Sequence, residues 1–226
     1  MTLSRRTRTL VRASAAVAAR DDEALDAALA EALDSESPEA MEETLLQSYL
    51  FVGYPLALGA LARWRRMRGG PPPEPREEDW EAWRRRGARV LRAVYGEQHE
   101  ALRRNVRHLH PEMERWMVTE GYGKVLGREG LSLVERELNV VALLTVLRTP
   151  VQLYSHLRGA LAVGARAENV EEVLGEACDF LEPPGREEAW KTWKRVMERK
   201  ERPGPPAGGL RRAHGDGRDD GDQRRS

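Results

Sequence analysis

Apolar residues recur along this chain at helical spacing. Over residues 8–33, Leu25, Leu29, Ala32 and Leu33 fall on one face, which predicts a first helix. The segment 34–38, DSESP, breaks it, and Pro38 suits the first position of the next helix. Glu39–Arg66 then reads as one or two helices with Leu45, Leu46, Tyr49 and Leu50 as a stripe, and Gly53-Tyr54-Pro55 marks a kink. RGGPPPEP (68–75) is a proline-stiffened linker. A helix over 76–96 follows, with Trp80, Trp83, Val90, Leu91 and Val94 as its apolar face and Gly96 at its end. His110-Pro111 opens another, carrying Met113, Trp116, Met117 and Val118, and Gly121-Tyr122-Gly123 closes it.

The stretch from Leu131 to Phe180 is the most regular. Ser132 with Glu135 three residues on is a capping box, so a helix starts there and runs to about Leu147. Thr149, Pro150 and Gln152 form a second capping-box pattern, opening a helix that Gly164 ends. A third covers roughly 168–181, with Val170, Val173, Leu174, Ala177 and Cys178 as its stripe. Trp190 and Trp193 belong to a last helix ending near Glu201. Residues 202–226, rich in Gly, Pro and charge, read as a disordered tail. The expected class is all-α.

Composition narrows the function classes. Lys+Arg and Asp+Glu both number 37, so the chain has no net charge to attract nucleic acid or an anionic membrane. Arginines at 63–68 and 84–86 alternate with tryptophans, as snorkelling stems over packed rings do. No run of about 18 apolar residues is evident, so no membrane span is expected. The Ala-rich N-terminus runs on into charged DDEALDAALAEAL, which suits an amphipathic helix better than a signal peptide. The expected location is cytoplasmic. The single cysteine, Cys178, allows neither an intramolecular disulfide nor a CxxC pair, and the five His show no metal-ligand spacing.

An internal repeat emerges on shifting the chain by 128 residues. Leu3-Ser4 then falls on Leu131-Ser132, Arg8 on Arg136, Leu10 on Leu138, Arg20 on Arg148, and Leu29 on Leu157. With one further residue of shift, Glu42-Glu43 falls on Glu171-Glu172, Phe51 on Phe180 and Trp64 on Trp193. A period this long indicates a duplicated unit rather than a solenoid. The expected organisation is two tandem helical repeats: 1–67, degenerate; a linker, 68–75; 76–201, carrying the candidate site; and the tail, 202–226. The polar set Glu137, Thr149, Gln152 and His156 falls on Thr9, Asp21, Ala24 and Ala28, so it does not recur.

That set carries the candidate chemistry. Glu137 shares a helix face with Val140, Val141 and Leu144, and a desolvated carboxylate there suits a general acid or base. His156 lies one turn after Gln152, and an imidazole can shuttle a proton to an enolate carbon. Arg128 and Arg148 offer guanidinium forks for a substrate carboxylate. Each has a plainer explanation: an ion pair for Glu137, a core hydrogen bond for His156, helix capping for Thr149 and Gln152, surface charge for the arginines, and an inert buried thiol for Cys178.

The pattern Arg136-Glu137-Leu138, then Gln152-Leu153-Tyr154-Ser155-His156 with Gly159-Ala160-Leu161 and Gly164, then Glu171-Glu172-Val173-Leu174, resembles the carboxymuconolactone decarboxylase and alkylhydroperoxidase-D-like superfamily. Tyr122–Arg128 resembles the lead-in of such decarboxylases. The likeness covers about 87–198 well and 3–67 more weakly. It implies an all-α homo-oligomer acting on a small molecule without a metal or organic cofactor. The activity it implies is decarboxylation or proton transfer on a carboxylated lactone or keto acid. His156 and Glu137 would be catalytic, with Gln152, Thr149, Arg128 and Arg148 binding substrate. The peroxidase branch carries CxxC where this chain has Thr149 and Gln152, so peroxidase chemistry lacks its thiolate. A non-catalytic scaffold or small-molecule binding module of the same fold is the alternative.

Overall fold

The computed structural model describes residues 2–34 and 38–201, and all regular structure among them is helical. The segment read as a tail lies outside the described residues. Helix α1 (Arg5–Ala19) is capped by Ser4, whose hydroxyl accepts from the Thr7 amide. It ends at Arg20, held in the left-handed region at φ 59°. Asp21 then caps α2 (Asp22–Leu33) by accepting from the Ala24 amide. The single helix predicted over 8–33 is therefore two. Apolar spacing continues across the turn and conceals it, while the Arg20-Asp21 cap is what breaks the chain direction.

Helix α3 (Pro38–Arg68) bends at Gly53, whose φ of 77° and ψ of 170° only glycine adopts without strain. By length and composition α3 could cross a bilayer, which the sequence reading did not anticipate. It also carries buried Met41, Leu45, Ala60 and Trp64 and packs on α1, α2 and α7, while 28% of its most apolar window is buried. Helix α4 (Trp80–Tyr95) starts later than the expected residue 76, because Asp79 accepts from the Ala82 amide and sets the first turn. A 3₁₀ turn (Gly96–Gln98) leads into α5 (His99–Leu109). Then α6 (Pro111–Trp116) passes directly into a π-helical stretch, Met117–Val125.

Gly121 and Gly123 do not close that helix, contrary to expectation. Glycine serves close approach here. A Cβ on Gly123 would lie 2.1 Å from the Trp83 carbonyl oxygen, and one on Gly87 would lie 1.8 Å from that of Val118. The backbones of α4 and the π-helical stretch touch at these two points, and no side chain fits between them.

Helix α7 (Leu133–Val146) has the expected Ser132/Glu135 capping box and is buried without interruption from Arg136 to Thr145. Helices α8 (Pro150–Ala162), α9 (Ala167–Cys178) and α10 (Pro183–Glu201) follow. The capping box predicted at Thr149 and Gln152 does not form. Thr149 makes no side-chain cap, and its hydroxyl instead donates to the Leu144 carbonyl at 3.4 Å.

Two apolar cores result, one around α1, α2 and α3, the other around α4 and α7–α10. Polar contacts join them in reciprocal fashion. Arg136 of α7 is 1% exposed and donates to Glu43 of α3 at 3.0 Å and to Gln47 at 3.1 Å. Arg8 of α1 pairs with Glu172 and Glu176 of α9, each at 3.1 Å. Arg8 and Arg136 are 128 residues apart; Glu43 and Glu172, like Gln47 and Glu176, are 129 apart. Each core thus reaches into the other through an arginine paired with acidic or amide side chains. Arg148, in the turn before α8, is left-handed like Arg20, at φ 54°.

Candidate functional site

Helices α7 and α8 bring Glu137 and His156 together. His156 Nδ1 lies 2.9 Å from Glu137 Oε2, and the two residues are 8% and 2% exposed. Gly159, one turn beyond His156, makes room for the carboxylate. A Cβ there would stand 2.8 Å from Glu137 Oε2 and 2.7 Å from Val94 Cγ1. Because Nδ1 is engaged, Nε2 is the ring nitrogen left for a ligand.

His156 lines a cavity of about 450 Å³. The wall is largely apolar and drawn from residues 50–156: Leu50 and Phe51 from α3, Leu102 and Val106 from α5, Met113 and Trp116 from α6, and Leu126 beyond the π-helical stretch. Phe51 meets the imidazole edge-on, with ring centroids 6.1 Å apart. Polar groups are few. They are Gln152 and Ser155 beside His156, Glu120, and the hydroxyls of Tyr95 and Tyr122. Tyr49 donates to Glu120 at 2.8 Å. Burial, chiefly, and then this carboxylate push the Tyr49 phenol above its ordinary value.

Tyr95 and Tyr122 share a 2.8 Å hydrogen bond, with rings edge-to-face at 5.9 Å. Tyr95 also stands edge-on to His156 at 6.4 Å. Burial first, and the nearby Glu137 charge second, raise the Tyr95 phenol; burial likewise raises Tyr122. Both therefore remain O–H donors over the physiological range.

The other expected site residues lie apart or contribute little. Gln152 reaches the cavity wall. Thr149 holds the turn before α8. Arg128 grips Glu43 with two nitrogens, at 2.8 and 3.0 Å, and lines a separate cavity of about 250 Å³. Arg148 is on the surface, 3.4 Å from Glu188. Among the described residues, no Lys or Arg lines the 450 Å³ cavity. Cys178 is buried in the core, where desolvation raises its thiol, and it does not line the cavity. Among the described residues, no group of three or more His, Cys, Asp or Glu is placed to hold a metal ion.

Sequence reasoning missed Phe51, Tyr95, Glu120 and Tyr122. Phe51 and Tyr95 come from helices far away in sequence. Tyr122 was read as part of a helix stop, although a tyrosine between two glycines in an otherwise helical run was a usable signal.

These features define an all-α protein with a carboxylate–imidazole pair at the wall of an apolar cavity. Residues 111–193 match the Carboxymuconolactone decarboxylase family model, and this segment is similar to that family. The match includes Glu137 and His156. No curated protein matches the chain.

Proposed function

We propose that this protein catalyses cofactor-independent decarboxylation or proton transfer on a small carboxylated lactone or keto acid bound in the 450 Å³ cavity. The observation that supports this best is the Glu137–His156 hydrogen bond behind a ring that faces the cavity. Glu137 fixes which nitrogen meets substrate and stabilises charge on the imidazole as it transfers a proton. In the decarboxylation, the bond from carbon to the carboxylate breaks, carbon dioxide leaves, and the electron pair stays as an enolate. The imidazolium Nε2–H then protonates the enolate carbon, leaving a neutral ring. A carboxylate in a wall without Lys or Arg loses hydration with no cation to replace it, which favours its departure as neutral carbon dioxide.

The two halves are, in the same proposal, copies of one duplicated unit, with the first having Thr9 and Ala28 at the positions of Glu137 and His156. That loss also favours a second reading, a binding module that keeps the cavity without the reaction. Self-association belongs here too: Met113, Trp116 and Val151 at the cavity and Leu109 nearby are exposed apolar groups that a second copy would cover, as light scattering would register.

The test is a screen of small carboxylated lactones and keto acids for carbon dioxide release and solvent-deuterium incorporation. His156→Gln should lower the rate by roughly 10²–10⁴-fold with the melting temperature unchanged. Binding without turnover by the parent protein would favour the binding module. Parallel loss of rate and stability would leave His156 a packing residue.

A further inference from the structure

Two hydroxyls that bond only to each other own two protons and use one. Tyr95 and Tyr122 are such a pair, and both line the cavity. Tyr122 is 5% exposed, in the π-helical stretch, whereas Tyr95 is partly exposed and edge-on to His156. The inner hydroxyl donating to the outer one leaves the Tyr95 proton directed at the cavity. A hydroxyl that accepts one hydrogen bond also becomes a stronger donor of the next. The close approach of α4 to the π-helical stretch through Gly87 and Gly123 fixes this geometry before any ligand arrives.

We propose that Tyr95 is the cavity's hydrogen-bond donor to the substrate oxygen on which negative charge develops, with Tyr122 polarising it from behind. It would act as a preorganised oxyanion contact beside His156. Tyr95 is then a catalytic residue and Tyr122 a positioning residue. This rests on the proton-transfer reading above, but its test does not need turnover.

The probe is 4-nitrophenolate, an aromatic oxyanion of a size the cavity admits, followed by its visible absorbance. Its neutral counterpart is 4-nitrotoluene, followed by quenching of tryptophan fluorescence. The full chain should bind both. Tyr95→Phe should weaken the phenolate about tenfold or more while leaving 4-nitrotoluene unchanged, as expected on losing one hydrogen bond to a charged acceptor. Tyr122→Phe should weaken the phenolate less, and the double variant should lose less than the product of the two single effects. Equal affinity of Tyr95→Phe and the parent for the phenolate, equal loss of both probes, or no phenolate binding by the parent would each overturn the assignment. A phenolate effect of the expected size without decarboxylation of any screened acid would uphold the donor and sink the reaction instead.

Discussion

Arg8 and Arg136 each bridge the two apolar cores but in unequal surroundings, and replacing each by Leu should separate them. Arg136 satisfies four acceptors: the Glu43 carboxylate, the Gln47 amide oxygen, and the carbonyls of Arg128 and Glu129. Each buried acceptor left bare costs about 1 kcal/mol or more. Glu43 keeps Arg128, which limits its own loss, and the substitution also removes the buried Arg136 Nε that has no acceptor. The balance is a loss of about 3 kcal/mol, or roughly 6–12 °C in melting temperature for a chain of this size. Arg8 has a side chain 42% exposed, and its ion pairs are worth about 1 kcal/mol at most. Urea denaturation followed by circular dichroism at 222 nm measures both variants. Equal losses for Arg8→Leu and Arg136→Leu, or a loss under about 1 kcal/mol for the latter, would refute the reasoning that burial sets the worth of these pairs.

Two further outcomes follow from the same geometry. Gly159→Ala places a methyl against Val94 and the Glu137 carboxylate; it should cost about 1–3 kcal/mol and separate Glu137 from His156, which the His156 ring shifts in NMR would register. Acid should loosen the joint between the halves. Burial alone would raise the Glu43 carboxyl, but hydrogen bonds from Arg128 and Arg136 outweigh it and hold the group below its ordinary value. Its stabilising contribution is therefore complete above the unfolded carboxylate value and is lost as pH falls through the lower folded value. Glu43→Gln should flatten the stability curve over that acidic range.

The helical class, the Ser132 cap and the kink at Gly53 could be read from the chain because each rests on neighbours within a turn or so. The Arg20-Asp21 break could not, since the apolar stripe runs through it and the signal is one residue's left-handed backbone. Glu137 and His156 could be singled out as polar residues on apolar helix faces, but their 2.9 Å contact depends on how α7 and α8 pack. Arg128 and Arg148 were not separable from the site by sequence: an arginine's task depends on which carboxylate lies opposite, and Glu43 is 85 residues away from Arg128. Tyr95 and Phe51 were invisible for the same reason, as the packing of distant helices places them.

Leu50 and Phe51 belong to the first half, yet they wall the cavity of the second. In a protein built from separate subunits, such a wall would come and go with dilution. Here residues 69–79 tether the two parts, and a short tether holds its partner at an effective concentration on the order of millimolar whatever the concentration of the chain. The cavity should then stay assembled at dilutions where a two-chain version would fall apart. Expressing 76–201 alone should restore that dependence: the open wall would close again as the missing half is titrated back.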